Sequence, residues 1–195
     1  MNFMCTNEQF RGALAICFGI CLLILGCAKQ PFSGANIAQD TDLIVSNQFR
    51  QIYVQLRYAM DDSDHFPHSF AELNQLSVDK NLFVCPGTGS RATALATIEE
   101  WTDYIYIGND TEQVPRAALV ISPPENHRGE YGYVLFVDGV ILRLPPDQVR
   151  MLVKEPWLLA TNTPPDNVNY LKKRIAVHVP KRLQTFYPDA YNSGI

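Results

Sequence analysis

Residues 131–144 read YGYVLFVDGVILRL, and this stretch decides the fold class. Residues 131–137 and 140–144 are rich in β-branched and aromatic side chains, and Asp138-Gly139 separates them. An Asp-Gly pair between two such runs is a strong signal for a β-hairpin, and it favours a type I′ turn. Two earlier runs, residues 103–107 and 117–121, have the same character. We therefore expect an antiparallel sheet of three or four strands.

A helical period precedes these strands. From Thr41 to about Met60, apolar side chains recur at spacings of three and four, which places them on one face of a helix. This stripe consists of Val45, Phe49, Ile52, Leu56 and Ala59 or Met60. Thr41 or Asp42 is suited to cap its N-terminus. A helix followed by strands predicts an α+β fold, with a long N-terminal amphipathic helix packed on a small antiparallel sheet.

The composition is that of a folded protein with no electrostatic preference for nucleic acid. The chain has 195 residues, of which 47% are hydrophobic and 18% are charged, enough for one domain with a sizeable core. The net charge of −4 offers no broad basic surface to a phosphate backbone. We expect no nucleic-acid partner.

The N-terminus carries an export signal. Residues 13–26 are fourteen uncharged residues, which is short for a membrane span and right for the core of a signal peptide. Ile24-Leu25-Gly26-Cys27 resembles a bacterial lipobox, a motif that is cleaved before the cysteine, which is then acylated. We expect residues 1–26 to be a lipoprotein signal peptide and Cys27 to be lipidated. An uncleaved anchor or a plain signal peptide is the alternative.

The remaining chain divides into three parts. Residues 27–40 read as a tether, residues 41–154 as the α+β domain, and residues 155–195 as a proline-rich C-terminal extension. Basic residues in the extension suggest either a contact with anionic lipid or peptidoglycan-associated partners, or, as we favour, a solvated face. They are Lys172, Lys173, Arg174, Lys181 and Arg182. Cys85 is the one thiol after Cys27, and we expect it to be buried.

Four segments of the domain resemble motifs of pseudopilins. Residues 58–67, YAMDDSDHFP, are similar to the end of the long helix in the major pseudopilin of type II secretion and in H-X9-DG proteins. A Cys-Pro pair, a Tyr-x-Tyr-x-Gly strand and an Asn-His motif before a Val-Leu-Phe-x-Asp-Gly segment follow in the family order. Here they are Cys85-Pro86, residues 104–108, Asn126-His127 and residues 134–139, ending in Asp138-Gly139. The resemblance implies a pseudopilin-like head.

The same resemblance has two departures. Pseudopilins carry a glutamate five residues into the apolar helix, and no glutamate lies between Gly12 and Gly26. Pro31 and Gly34 also interrupt the continuous helix that pseudopilins have, since proline removes a backbone donor. We therefore expect a head moved from a filament onto a lipid anchor.

Two side-chain groups are candidates for chemistry. His127 with Asp138 has the residue types of a base and its orienting carboxylate, although no nucleophile stands at a readable spacing. Asp61, Asp62 and Asp64 offer oxygen ligands for Ca²⁺, but an EF-hand loop would need glycine where Phe66 stands. We expect no catalytic residue and no required cofactor, with calcium as the open alternative.

The sequence therefore predicts a non-enzymatic, lipid-anchored protein of the bacterial cell envelope, sorted to the outer membrane because Ala28 follows Cys27. Its role would be structural or in protein interaction, with the membrane and envelope or secretion-apparatus proteins as partners. The alternatives are a true type II secretion or pilus-type pseudopilin, anchored by its apolar segment, and a calcium-binding or enzymatic module.

Overall fold

The computed structural model describes residues 34–60, 65–108, 114, 116–159 and 175–190, with the side chains of the first helix described from residue 41. The chain divides into two units, Met1–Gln39 and Asp40–Ile195, and the elements below belong to the second, apart from residues 34–39 at the start of the first helix. The signal segment, Cys27 and Asp61, Asp62 and Asp64 lie outside the described residues. Within those residues, no helix has the length and apolar character needed to cross a membrane.

Helix α1 spans Gly34–Met60. The predicted stripe is confirmed, because Val45, Phe49, Ile52 and Leu56 are completely buried. The predicted cap at Thr41 or Asp42 is wrong, since the helix begins earlier and its first turns take up the end of the expected tether. The physical reason is that residues 35–40 contain neither proline nor glycine, so nothing stops the helix before Gly34.

Short turns connect α1 to the sheet. They are the 3₁₀ turns Phe70–Gln75, Lys80–Phe83 and Leu95–Thr97, and the single-turn helix α2, Ile98–Trp101. The first of them has no capping box, in which Glu72 would accept from the backbone N–H of Ser69. The Glu72 carboxylate accepts a hydrogen bond from the backbone N–H of His68 at 3.0 Å, whereas the Ser69 side chain caps nothing.

Among the described residues, the sheet has five antiparallel strands, one more than the largest number expected. They are β1, Ile105–Gly108; β2, Ala118–Ser122; β3, Gly132–Phe136; β4, Ile141–Leu144; and β5, Ala176–His178. The order across the sheet is β4-β3-β2-β1-β5. Strand β5 comes from the part of the chain expected to be an extension, and it pairs with β1 through Tyr106 opposite His178.

The β3–β4 hairpin forms where the sequence predicts it, with a different turn. The N–H of Gly139 donates to the carbonyl of Phe136 at 2.8 Å, and Phe136 N–H donates to Val140 O at 2.9 Å. Gly139 has φ of +81°, but Asp138 is not in the left-handed region. The type I′ prediction is therefore wrong. The loop has three residues and ends with glycine in a bulge, which leaves Asp138 at ordinary φ.

Helix α1 packs on one end of this hairpin and on β1. The Tyr53 hydroxyl donates to Val137 O at 3.0 Å, and the rings of Phe49 and Tyr104 meet edge to face at 5.1 Å. Helix α3, Pro146–Lys154, follows β4 and buries Val149, Leu152 and Val153. Long-range side-chain contacts thus join the helix and the sheet in one core.

Candidate functional site: a buried polar cluster around Asp103

The structure separates the two halves of the predicted His127 and Asp138 pair. His127 ends the 3₁₀ turn Pro124–His127, while Asp138 and Gly139 form the β3–β4 turn. Asp138 makes an ion pair with Arg116 at 2.6 Å, and the His127 ring contacts Ser122 instead. Across the described part of the chain, no hydrogen bond or ion pair joins His127 to Asp138. The proposed base and carboxylate therefore do not form a unit.

A different set of polar residues converges on Asp103, whose side chain is completely buried. We call this set the Asp103 cluster, and it comprises Cys85, Thr88, Ser90, Asp103, Ser122, Asn126, His127 and Arg182. One carboxylate oxygen accepts from the backbone N–H of Cys85 at 2.7 Å and from the Thr88 hydroxyl. The other accepts from the Ser90 hydroxyl at 2.7 Å and from the Arg182 guanidinium at 2.6 Å. Each oxygen thus receives two donors, as a buried charge requires.

The backbone places Asp103 at this position. Its N–H donates to Phe83 O at 3.0 Å, and the Thr102 hydroxyl donates to the same carbonyl at 2.9 Å. These bonds hold the start of β1 beside the Cys85-Pro86 turn. The cluster therefore begins as a junction between a turn and a strand.

Asn126 joins two further segments to this junction. Its Nδ2 donates to the backbone oxygen of Asp103 at 2.6 Å and to Ser122 Oγ at 3.1 Å. Its Oδ1 accepts a hydrogen bond from Arg182, which comes from the C-terminal 3₁₀ turn Lys181–Leu183. Four segments of the chain, distant in sequence, are thus tied together at one buried carboxylate.

Cys85 is buried, as expected, with none of its surface exposed. Burial raises the pKa of its thiol, and the negative charge of Asp103 raises it further. The thiol is therefore protonated at neutral pH, whereas a nucleophilic cysteine needs a lowered pKa and access to solvent. Its environment is that of a structural residue.

His127 is neutral at physiological pH. Burial lowers its pKa from 6.5 to about 4. Its Nε2 lies 2.8 Å from Ser122 Oγ, and its ring stacks on Tyr131 with centroids 4.8 Å apart. The guanidinium of Arg143 covers the Tyr131 ring at 3.7 Å, and the Tyr131 hydroxyl donates to Asp42 of α1 at 2.8 Å. The histidine thus packs against the strand that begins the hairpin.

Sequence reasoning missed Asp103, Ser122 and Arg182. Asp103 was assigned to the start of a strand, and Arg182 to a solvated basic face or a lipid contact. The interpretation of Arg182 is wrong, because it forms an ion pair with a buried carboxylate. The available signal was weak: each is a single polar residue in an otherwise ordinary segment, and Arg182 lies 79 positions from its partner.

One other feature of the described residues could receive a ligand. A groove of about 490 Å³ runs along β5, lined by residues that include Glu99, Glu100, His178 and Lys181, and Nδ1 of His178 lies 3.2 Å from Glu99. Among the described residues, no group of three or more histidine, cysteine or acidic side chains is arranged to hold a metal ion.

Comparison with models of known protein families, with curated proteins and with solved structures finds no match to this chain.

Proposed function

We propose that this chain is a non-enzymatic, lipid-anchored protein of the bacterial cell envelope, with a pseudopilin-like head that has a structural or protein-interaction role. The observation that carries the proposal is the fate of the motif residues. Cys85, Asn126 and His127, which belong to two of the motifs that carry the resemblance, meet in the Asp103 cluster and bind other parts of the chain. Their hydrogen bonds are made inside the fold, which supports a structural role for these motif residues.

The anchor is the second part of the proposal. The fourteen uncharged residues 13–26, which end in the lipobox-like Ile24–Cys27 segment, favour cleavage and acylation at Cys27. Two acyl chains on one residue hold a protein stably on a bilayer, whereas one chain binds reversibly. The Ala28 that follows favours the outer membrane as the destination.

The test is the mass of the N-terminal peptide from membrane-purified protein, compared with that of a Cys27→Ala variant. We expect a diacyl or triacyl Cys27 in the parent chain and its loss in the variant. An intact N-terminus, with residues 1–26 retained, would contradict the lipid anchor and place the pseudopilin subunit first.

The calcium alternative has its own test. Thermal unfolding is measured with Ca²⁺ and with a chelator, in the parent chain and in Asp62→Ala and Asp64→Ala. We expect the same melting temperature with and without Ca²⁺. Stabilisation that both variants abolish would overturn the proposal and locate a calcium site.

A further inference from the structure

Helix α1 has a second apolar face, opposite the buried stripe. Leu43, Ile44, Val54 and Tyr58 are all exposed, Tyr58 by 67% and Leu43 by 61%. At 100° per residue these four side chains fall within an arc of about 100°, with only Asn47 and Gln51 between them. We call these four residues the outer face of α1. Leu43 and Ile44 lie about 15 Å along the helix axis from Val54 and Tyr58, so two exposed apolar pairs occupy this side of α1. Apolar side chains left exposed on one side of a helix mark a candidate binding surface.

The charge of the helix differs from that of the whole protein. Between Leu43 and Met60 the only charged residues are Arg50 and Arg57, although the chain as a whole carries −4. Both arginines are exposed beside the outer face. Arg50 donates to the Asn47 amide at 3.3 Å, and Arg57 contacts the Met60 sulfur at 3.6 Å. In the described part of the chain, neither guanidinium meets a carboxylate, so both are available to an anionic surface.

The same charges disfavour a second copy of this chain on the outer face. The nearest described carboxylate on the helix is Asp42, and it already accepts from Tyr131 and pairs with Arg143 at 3.4 Å. Two outer faces in contact would therefore bring arginines together, and among the described residues of α1 no carboxylate lies beside the outer face to compensate them. Like charges held close together oppose association.

The length of the chain keeps this face close to the proposed anchor. Leu43 follows Cys27 by sixteen residues, which span at most about 58 Å even when fully extended. A tether of this length holds a surface at an effective concentration of order millimolar. At this effective concentration, a face that is too small to bind a free bilayer can bind the bilayer that carries the anchor.

We propose that the outer face of α1 docks the head onto an anionic phospholipid surface. The apolar side chains of the outer face enter the boundary between headgroups and acyl chains, while Arg50 and Arg57 contact headgroup phosphates. Helices that lie in a membrane interface have this arrangement, with an apolar face bordered by cations. The proposal rests on the lipid anchor of the proposed function. Its test measures quenching by lipid, whereas the test of the anchor measures the mass of the N-terminal peptide.

The experiment uses the full chain reconstituted into vesicles that contain phosphatidylglycerol with brominated acyl chains, which quench tryptophan fluorescence on contact. Tyr58→Trp reports on the outer face. Phe186→Trp, at a position that is 59% exposed and belongs to the C-terminal segment, is the matched control. Trp101 and Trp157 contribute equally to both variants. We expect the added fluorescence at position 58 to be quenched at least twofold more than that at position 186.

Two further variants separate the apolar and the charged contributions. Adding Val54→Asp to the Tyr58→Trp chain should remove the extra quenching without changing the melting temperature, because Val54 is 59% exposed. Replacing Arg50 and Arg57 by glutamine should make the quenching the same in phosphatidylglycerol and in phosphatidylcholine vesicles. Retention of the lipid preference in that double variant would contradict the role of the arginines.

Equal quenching at positions 58 and 186 would overturn the proposal. A blue shift of the position-58 emission that depends on protein concentration, without lipid quenching, would overturn it in favour of a second copy. Failure of the lipid anchor is read independently, from the mass of the N-terminal peptide.

Discussion

Asp103 is a completely buried carboxylate that joins segments distant in the sequence. A carboxylate with no exposure to solvent keeps its charge only if donors and a cation replace water around it. Here the donors are the backbone N–H of Cys85 and the hydroxyls of Thr88 and Ser90. The cation is the guanidinium of Arg182. The three neutral donors do not balance the negative charge of the carboxylate, so among these partners the loss of Arg182 should reduce stability the most.

We therefore predict that Arg182→Met lowers the free energy of unfolding by about 3 kcal/mol, because it leaves Asp103 buried with no cation. Lys181→Met is the matched control, since Lys181 is the exposed neighbour of Arg182, and it should change stability by less than about 0.5 kcal/mol. Urea unfolding measures both. Equal effects of the two substitutions would mean that the ion pair contributes nothing.

His127 should make stability depend on pH. The pKa of His127 is about 4 in the folded chain and near 6.5 in the unfolded chain. Between these two values the unfolded state binds a proton that the native state does not bind. This contribution is present above pH 6.5 and is lost as the pH falls, by roughly 3 kcal/mol at pH 4. The measurement is the unfolding free energy at pH 7 and at pH 4.

The His127→Phe variant should lose this part of the pH dependence. Tyr131→Phe keeps the ring that stacks on the histidine and should retain it. A pH profile that is unchanged in His127→Phe would show that other groups cause the loss of stability in acid.

At the scale of single elements, one face of α1 is buried in the core and the opposite face is exposed. Each large side chain of the buried stripe contributes about 1.5 to 3 kcal/mol by leaving water. The outer face contributes almost nothing to the fold, because its side chains remain exposed. Substitutions two residues apart should therefore have opposite outcomes.

We predict that Ile52→Asp abolishes folding, because an unpaired carboxylate would occupy a completely buried position, while Val54→Asp leaves the melting temperature within about 3 °C of the parent chain. Circular dichroism during heating distinguishes the two. A soluble Ile52→Asp protein with native melting would refute the observed packing of α1.

The turn after β3 allows a second paired test. Gly139 and Gly129 both have φ of +81°, but a Cβ on Gly139 would lie 3.0 Å from the Tyr53 ring, whereas one on Gly129 would meet nothing within 4 Å. Gly129→Ala should cost about 1 kcal/mol for backbone strain. Gly139→Ala should cost about 1 kcal/mol more, since it also pushes α1 away. Chemical denaturation measures the difference, and equal losses would exclude the steric contribution.

Local sequence patterns predict most of the individual helices and strands. They do not predict which segments distant in the sequence pair with one another. The stripe Val45, Phe49, Ile52 and Leu56 could be read because helical periodicity is local, and the β3–β4 hairpin because its turn residues are adjacent. Strand β5 has three residues in a proline-rich segment, and only its register with β1 makes it a strand. The Asp103 and Arg182 pair is similar, since neither residue is unusual until the sheet brings them together.

Across the whole molecule, the C-terminal segment is part of the sheet. Strand β1 lies between β2 and β5, so each of its edges is paired. The segment also supplies Arg182 and buries Leu183 and Tyr187 in the common core. Residues 175–190 thus complete the domain.

We predict that a chain ending at Leu159 shows no cooperative unfolding transition, because it exposes one edge of β1 and leaves Asp103 without its cation. A chain ending at Ala190 keeps every described strand and should melt like the parent. Differential scanning calorimetry of both truncated chains tests this. A sharp transition in the shorter chain, near the melting temperature of the parent, would contradict it.

The position of β5 also determines when this protein folds during its synthesis. As the chain leaves the ribosome, residues 34–159 emerge before β5, and they contain α1 and four of the five described strands. The negative charge of Asp103 cannot be enclosed until the arginine made 79 residues later has also emerged. A nascent chain therefore cannot complete the Asp103 cluster until Arg182 has left the ribosome, and a machine that threads unfolded polypeptides has that interval in which to engage it.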